Sequence, residues 1–223
     1  RTIMRLYIIR HGETDWNTAG RLQGQADTQL NEKGIRLAQI TAEGMKTIPF
    51  DLCITSPLKR ARQTAEIILS GRPVPIWEDD RIREIGFGAW EGLGCREGNF
   101  QIPVPKEEFD KFYTDPFRFQ PDKDGETVEA VCRRTREFLE EITANPDYQD
   151  KTILISSHGC ASRAILNSVY EEKEDFWHGH VPPNCAVSLA EGTKGHLIVK
   201  ESDRIYYDPS EIVDFRTGKK REN

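Results

Sequence analysis

The chain has 223 residues and a formal net charge of −6, with 37% hydrophobic and 30% charged residues. That length suits one α/β domain with an insertion. The acidic total argues against a general nucleic-acid binder, whose affinity rests on neutralising phosphates, and no apolar stretch is long enough to span a membrane.

Taken in chain order, the first element is "RLYII" (5–9), an apolar run of strand length that ends in Arg10, His11 and Gly12. The opening "RTIMR" has no apolar signal core, so the expected location is cytoplasmic. Leu30, Gly34, Leu37, Ala38, Thr41, Met45 and Ile48 recur at spacings of three and four, the stripe of an amphipathic helix. "FDLCITS" (50–56) reads as a second strand. Ser56-Pro57 then reads as an N-cap and first-turn proline, which predicts a helix over 57–69. Residues 86–124 break the pattern with five glycines, several prolines and eight aromatics. They are read as an insertion folded over one end of the sheet. Val128, Val131, Cys132, Thr135, Phe138, Leu139 and Ile142 mark a further helix. "TILISS" (152–157) is a third strand, 159–170 a helix, and 186–190 with 196–201 two strands joined by a turn. The last residues, 216–223, are polar and predicted to fray.

Continuous apolar runs mark strands buried on both faces, as in parallel sheets. Alternation with helices predicts a three-layer α/β/α fold with a mostly parallel central sheet and an inserted cap over the carboxyl edge of its strands. The whole chain, 1–223, is expected to form a single domain, with 86–124 contributing to its pocket.

Ligands of open α/β sheets bind beyond the carboxyl ends of the strands. At those ends this sequence places Arg10-His11-Gly12, then Arg60 in the first turn of a helix, then Ser157-His158-Gly159. Two arginines, two histidines and the helix N-termini make a site for a dianion, most simply a phosphoryl group. A neutral imidazole at His11 can attack phosphorus, and nearby guanidinium groups favour that neutral form. Arg10, Arg60 and His158 supply charge. Glu84, in "RIREIGFGAWEG", is the candidate proton donor for the leaving oxygen, beside apolar Phe87 and Trp90.

"RHGETDWN", "LNEKG", "SPLKRARQTA", "REIGFGAWEG" and "SSHG" together resemble the histidine phosphatase superfamily, in the branch that includes the cofactor-dependent phosphoglycerate mutases. The blocks lie in family order across roughly residues 5–190. The resemblance implies that His11 is the phosphorylated histidine and that Arg10, Arg60 and His158 complete the phosphate pocket. It also makes Glu84 the proton donor and then the base for water. Asn17, Gln23, Gly24 and Gly159 are candidate substrate-binding positions. It implies no metal and no cofactor, and a small phosphorylated substrate as the partner; oligomeric state is not readable.

Mutases of the family carry threonine at the place of Gln23, E-R-H-Y-G at that of "EIGFG", and a basic pair in the insertion. Between 95 and 124 this chain has only the scattered Arg96, Lys106, Lys111, Arg118 and Lys123. These departures favour a phosphomonoester hydrolase over a mutase, the alternative; a non-catalytic phosphate-binding protein is a third reading. "GAWEG" followed by "DGETVEAVCRR" resembles the small phosphatases, including α-ribazole phosphatase and broad-specificity acid phosphatases.

Other features read more plainly. The five cysteines have no C-x-x-C spacing and are expected to be reduced and buried. "HGH" (178–180) lacks neighbours with metal-ligand spacing. Cys160 is expected to face away from His158. The insertion's aromatics are expected chiefly to pack on one another, with Arg118 and Lys123 available to a second anionic group. Asn184 is expected either to orient pocket residues or to satisfy loop backbone.

Overall fold

The computed structural model describes residues 2–193 and 196–220. Its chain order is β1 (Met4–Arg10), α1 (Asp15–Ala19), α2 (Glu32–Gly44), β2 (Leu52–Thr55), α3 (Lys59–Ile68), β3 (Ile76–Glu78), the short hairpin β4 (Cys95–Arg96) and β5 (Asn99–Phe100), α4 (Lys106–Thr114), α5 (Val128–Ala144), β6 (Thr152–Ser157), α6 (Gly159–Asn167), β7 (Val187–Gly192) and β8 (Ile198–Arg204). The main sheet has the order β3-β2-β6-β1-β7-β8. Its first four strands are parallel, and β7 and β8 add an antiparallel edge.

Side chains alternate across a strand, which explains why the apolar runs are continuous. In β1, Leu6 and Ile8 pack with Phe138 and Leu139 of α5 and Ile165 and Leu166 of α6. Ile9 points the other way, to Leu37 and Ala38 of α2 and Ala65 and Ile68 of α3. In β6, Ile153 and Ile155 join the first cluster and Leu154 the second. Both faces are therefore covered, and the three layers follow. All five cysteines are free and buried. Cys53 and Cys185 lie in the α2/α3 cluster, whereas Cys95, Cys132 and Cys160 lie in a third cluster built around the insertion.

The helix after β2 starts later than its sequence predicts. Leu58, not Ser56, is its N-cap, and Leu58 makes no side-chain capping bond. The Ser56 hydroxyl instead accepts the Leu58 N–H at 3.3 Å and meets His158 Nε2 at 2.8 Å. The strand β3 has no counterpart among the predicted elements. It is a three-residue edge strand whose Trp77 is 61% exposed, so it carries no buried apolar run.

Residues 216–220 are ordered rather than frayed; 221–223 lie outside the described residues. Asp214 O accepts the Gly218 N–H, and the Asp214 N–H donates to Lys219 O, both at 2.8 Å. Arg96 Nε donates to Phe215 O at 2.9 Å, which ties this turn to the insertion.

Candidate active site

Register brings the site together. Arg10 pairs with Ser157 across β1 and β6, and Thr55 pairs with Ser156 across β2 and β6. The ladder continues as His11 N–H donates to Ser157 O at 3.1 Å and Ser56 N–H to Ser156 O at 2.9 Å. Arg10, His11, Ser56 and His158 therefore leave the sheet at one level, on three adjacent parallel strands.

The loop after β1 is held against α2 by two glycines. A Cβ at Gly12 would lie 2.7 Å from Gly34 O, and one at Gly34 would lie 2.1 Å from Glu13 O. "RHG" and "LNEKG" are thus two halves of one contact. Asn31 caps α2 by accepting the Gly34 N–H at 2.8 Å. The Gly12 N–H donates to Thr64 Oγ1 of α3 at 3.0 Å.

His11 is 2% exposed. Its Nδ1 lies 2.6 Å from Gly12 O. A carbonyl oxygen only accepts, so Nδ1 carries the proton and Nε2 keeps its lone pair. Burial, then Arg60 and Arg10, push the His11 pKa well below the usual histidine value. His158 is lowered in the same direction by burial, Arg60 and His11. The two rings are 5.2 Å apart at 62°. Because Ser56 Oγ already accepts from Leu58, its O–H is available to His158 Nε2. His158 Nδ1 is buried and has no hydrogen-bond partner among the described residues.

Arg10 Nη1 donates to Pro182 O at 2.7 Å, while its buried Nε has no partner. A Cβ at Gly159 would lie 3.4 Å from that Nε and 3.2 Å from Val181 Cγ1, so the bare backbone lets Arg10 lie against the start of α6. Arg60 is fully buried. It lies close enough to His11 and His158 to lower the pKa of both. Its Nη1 donates to Ala26 O at 2.6 Å and its Nη2 to Gly24 O, leaving only Nε unpartnered. Burial lowers its pKa to about 10. Among the described residues neither arginine makes an ion pair. Such buried cations are costly unless something compensates them.

Glu84 is 8% exposed and lines the same cavity as His11. Oε1 accepts the N–H groups of Ala161 at 2.9 Å and Ile85 at 3.0 Å; Oε2 accepts that of Cys160 at 3.1 Å. The first turn of α6 therefore aims the carboxylate. Of the expected apolar walls, Phe87 lines the cavity, whereas Trp90 is buried in the aromatic cluster. Glu91, the competing carboxylate, accepts from the backbone of Gln25, Ala26 and Phe87 and holds the 24–26 loop. A Cβ at Gly24 would lie 2.5 Å from Ile85 O, which accounts for the glycine there.

Asn17 and Gln23 line the cavity. Gln23 Oε1 accepts the hydroxyls of Thr14 at 2.7 Å and Thr28 at 2.6 Å. Asn17 Oδ1 accepts the Thr14 N–H at 3.1 Å. Asn184 orients this group, donating to His11 O at 3.1 Å and Asn17 Oδ1 at 3.3 Å. Cys160 packs in the insertion's apolar cluster and borders the cavity, and burial with Glu84 nearby pushes its thiol pKa well up. His178 stacks on Tyr170, ring centroids 3.6 Å apart.

The insertion's aromatics do pack on one another, mostly edge to face, and Phe109 and Phe119 are all but fully buried. Phe87, Phe112 and Tyr113 also face the cavity. Arg118 pairs with Asp115 on the surface, and Lys123 is exposed; neither reaches the cavity.

Two supporting residues are not among those the sequence singles out. Arg134 donates to the carbonyls of Arg81, Arg83 and Glu84 at 2.7–3.0 Å and pairs with Glu126 at 2.9 Å. Glu126 in turn accepts the Gly86 N–H. Both lie in "DGETVEAVCRR", and their spacing of eight residues is the available signal.

A model of the histidine phosphatase superfamily (branch 1) matches residues 6–203, and the chain belongs to that family. It is 34% identical to the adenosylcobalamin/alpha-ribazole phosphatase of Salmonella typhimurium, over 85% of this chain and 92% of that one. It is also 34% identical to a probable phosphoglycerate mutase GpmB of Proteus mirabilis, over 75% of each. The solved structure of Bacillus stearothermophilus YhfR superposes with a TM-score of 0.81 at 31% identity, covering 91% of this chain and 98% of that one.

Proposed function

We propose that this chain hydrolyses a small phosphomonoester through a phosphohistidine at His11. The observation that carries the reading is the pair of buried guanidinium groups, Arg10 and Arg60, each with an unpartnered Nε and, among the described residues, no acidic partner, beside a histidine whose Nε2 is unprotonated. A phosphoryl dianion supplies the missing compensation. His11 Nε2 attacks phosphorus, the ester P–O bond breaks, and Glu84 gives the departing oxygen its proton. Glu84 then takes a proton from water as that water attacks the phosphohistidine, releasing orthophosphate and restoring Nε2. Arg10, Arg60 and His158, whose buried Nδ1 is unpartnered, stabilise charge on the transferring group. Asn17, Gln23, Gly24 and Gly159 shape the substrate's place, and residues 86–124 form part of its wall within a single domain. Free, buried cysteines support a cytoplasmic location.

Hydrolysis is favoured over the mutase reaction because no basic residue of the insertion lines the cavity. Arg96 is engaged with the carbonyls of Asn17, Thr18 and Phe215, and Lys106 and Lys111 with Asp110 and Glu108. The test offers the purified protein a panel of phosphomonoesters with EDTA present, reading free phosphate and acid-labile label on His11. Release of phosphate with label that His11→Ala abolishes supports the reading. Conversion of 3-phosphoglycerate with the 2,3-bisphosphate primer, without net phosphate release, overturns it in favour of the mutase.

A further inference from the structure

The cavity beside His11 has two chambers. An inner one of about 60 Å³ and an outer one of about 500 Å³ share Arg10, Asn17, Tyr113, Trp177, Val181 and Phe215. Phe215 belongs to neither the sheet nor the insertion. It belongs to the 214–218 turn, which borders the outer chamber. Arg96 holds the Phe215 carbonyl and lies 5.7 Å from its ring. Arg216 lies 3.6 Å from Asp110 and sits over the Tyr113 ring at 4.7 Å.

Charge is distributed unevenly between the phosphoryl end and the rest of the cavity. At the inner end stand Arg10, His11 and Glu84, while Phe87, Phe112, Tyr113, Trp177 and Phe215 supply aromatic walls. The outer chamber is lined by three cations, Arg10, Lys33 and Arg216, and three carboxylates, Glu13, Glu211 and Asp214. Lys33 Nζ is 3.4 Å from Glu13 and 3.7 Å from Glu211. Beyond Arg10, each lining Lys or Arg already has an acidic partner. A second carboxylate or phosphate on the substrate would lose its water there and displace an existing pair. A ring would bury apolar surface and meet aromatic edges.

We infer that the space beyond the phosphoryl position is a leaving-group subsite for an uncharged alcohol with an apolar, ring-sized body, and that Phe215 closes this subsite and sets its preference. The inference rests on the phosphohydrolase reading and names its substrate class.

The test is binding of two non-hydrolysable phosphonates, 3-phenylpropylphosphonate and 3-phosphonopropionate, measured by calorimetry. The phenyl compound should bind at least about tenfold more tightly, the scale of a hydrophobic-pocket contact. Phe215→Ala should narrow that gap several-fold, and Phe215→Leu should restore most of it. Phe215→Lys should raise the affinity for 3-phosphonopropionate, a gain that misfolding cannot produce. Equal affinities in the wild-type protein overturn the inference. So does a Phe215→Ala protein that loses both ligands by the same factor, or a Phe215→Lys protein with no gain. Binding needs no turnover, so these outcomes are distinct from failure of the hydrolase reading, which would show as absent phosphate release and absent His11 label.

Discussion

The carboxyl edge of the sheet and the aromatic insertion above it are built on opposite principles. At the edge, Arg10, His11, Arg60 and Glu84 are each held by backbone carbonyls or N–H groups, and two cations are buried without an acidic partner among the described residues. In the insertion, Phe87, Phe109, Phe112 and Phe119 hold one another through ring edges, and charges stay on the surface. The first arrangement specifies positions at a cost in stability; the second supplies stability while leaving one aromatic face to the cavity. Backbone anchoring suits groups that must not move during phosphoryl transfer, where positioning and charge do most of the work.

The sharpest way to break this contrast is to remove the nucleophile. His11→Ala should cost about 10⁶-fold in phosphate release, the scale of losing a covalent nucleophile, while the melting temperature holds or rises. A residual rate near wild type would transfer the role elsewhere. Next comes Glu84→Gln, which should slow alkyl phosphates by about 10²–10⁴-fold in single-turnover phosphorylation. Nitrophenyl phosphate, whose leaving group hardly needs a proton, should lose much less in that step, and its phosphoenzyme should persist longer. Equal slowing of both substrates with an unchanged phosphoenzyme lifetime would remove Glu84 from its role. Glu91 is then no ready substitute, because it holds the 24–26 loop and does not line the cavity beside His11.

The insertion should respond in the opposite sense. Phe109→Ala should lose about 3–5 kcal/mol of stability with kcat little changed, as denaturant melts and initial rates would show. A large fall in kcat at unchanged stability would erase the distinction between the regions. Arg60→Ala tests whether a residue can belong to both schemes. Removing a buried, hydrogen-bonded charge costs about 2–5 kcal/mol, so vanadate affinity should fall well over tenfold. Unchanged vanadate affinity would make Arg60 solely an anchor for the 24–26 loop.

The smallest effect is on pH. Folded His11 and His158 have depressed pKa values, so between those values and about 6.5 the unfolded chain binds more protons. Their contribution is fully present above the unfolded value and is lost as pH falls below it. Each group should contribute about 1.4 kcal/mol per pH unit in that window. His158→Gln should therefore flatten the stability profile between about pH 6 and pH 5, and an unaltered slope would refute the shift.

Much of this architecture is legible in the sequence itself. The β1 and β6 runs read clearly because both faces of those strands are buried, and the same edge then collects the residues that follow them. What stays hidden depends on partners distant in the chain. Ser56 looks like a helix cap until His158, far along the sequence, claims its hydroxyl. Arg60 reads as a phosphate ligand, and only the fold shows that the carbonyls of Gly24 and Ala26 also hold two of its nitrogens. Arg134 is one basic residue among several on α5, and only tertiary packing shows that it grips the Glu84 loop. The 216–220 turn is polar by composition, and its order comes from Arg96 on the insertion.

The scattered cysteines carry a practical consequence. Burial pushes Cys53, Cys95 and Cys185 to about 12 and Cys132 to about 11, and drives Cys160 well up. In the native protein these thiols are shielded from alkylating reagents, because only an accessible thiolate reacts. Each becomes reactive when its surroundings open. Three lie around the insertion and two between the sheet and α2/α3, so mass-resolved alkylation along a denaturation series will date the opening of each half separately. The chain thus carries its own set of local clocks, readable without a substrate and without an engineered probe site.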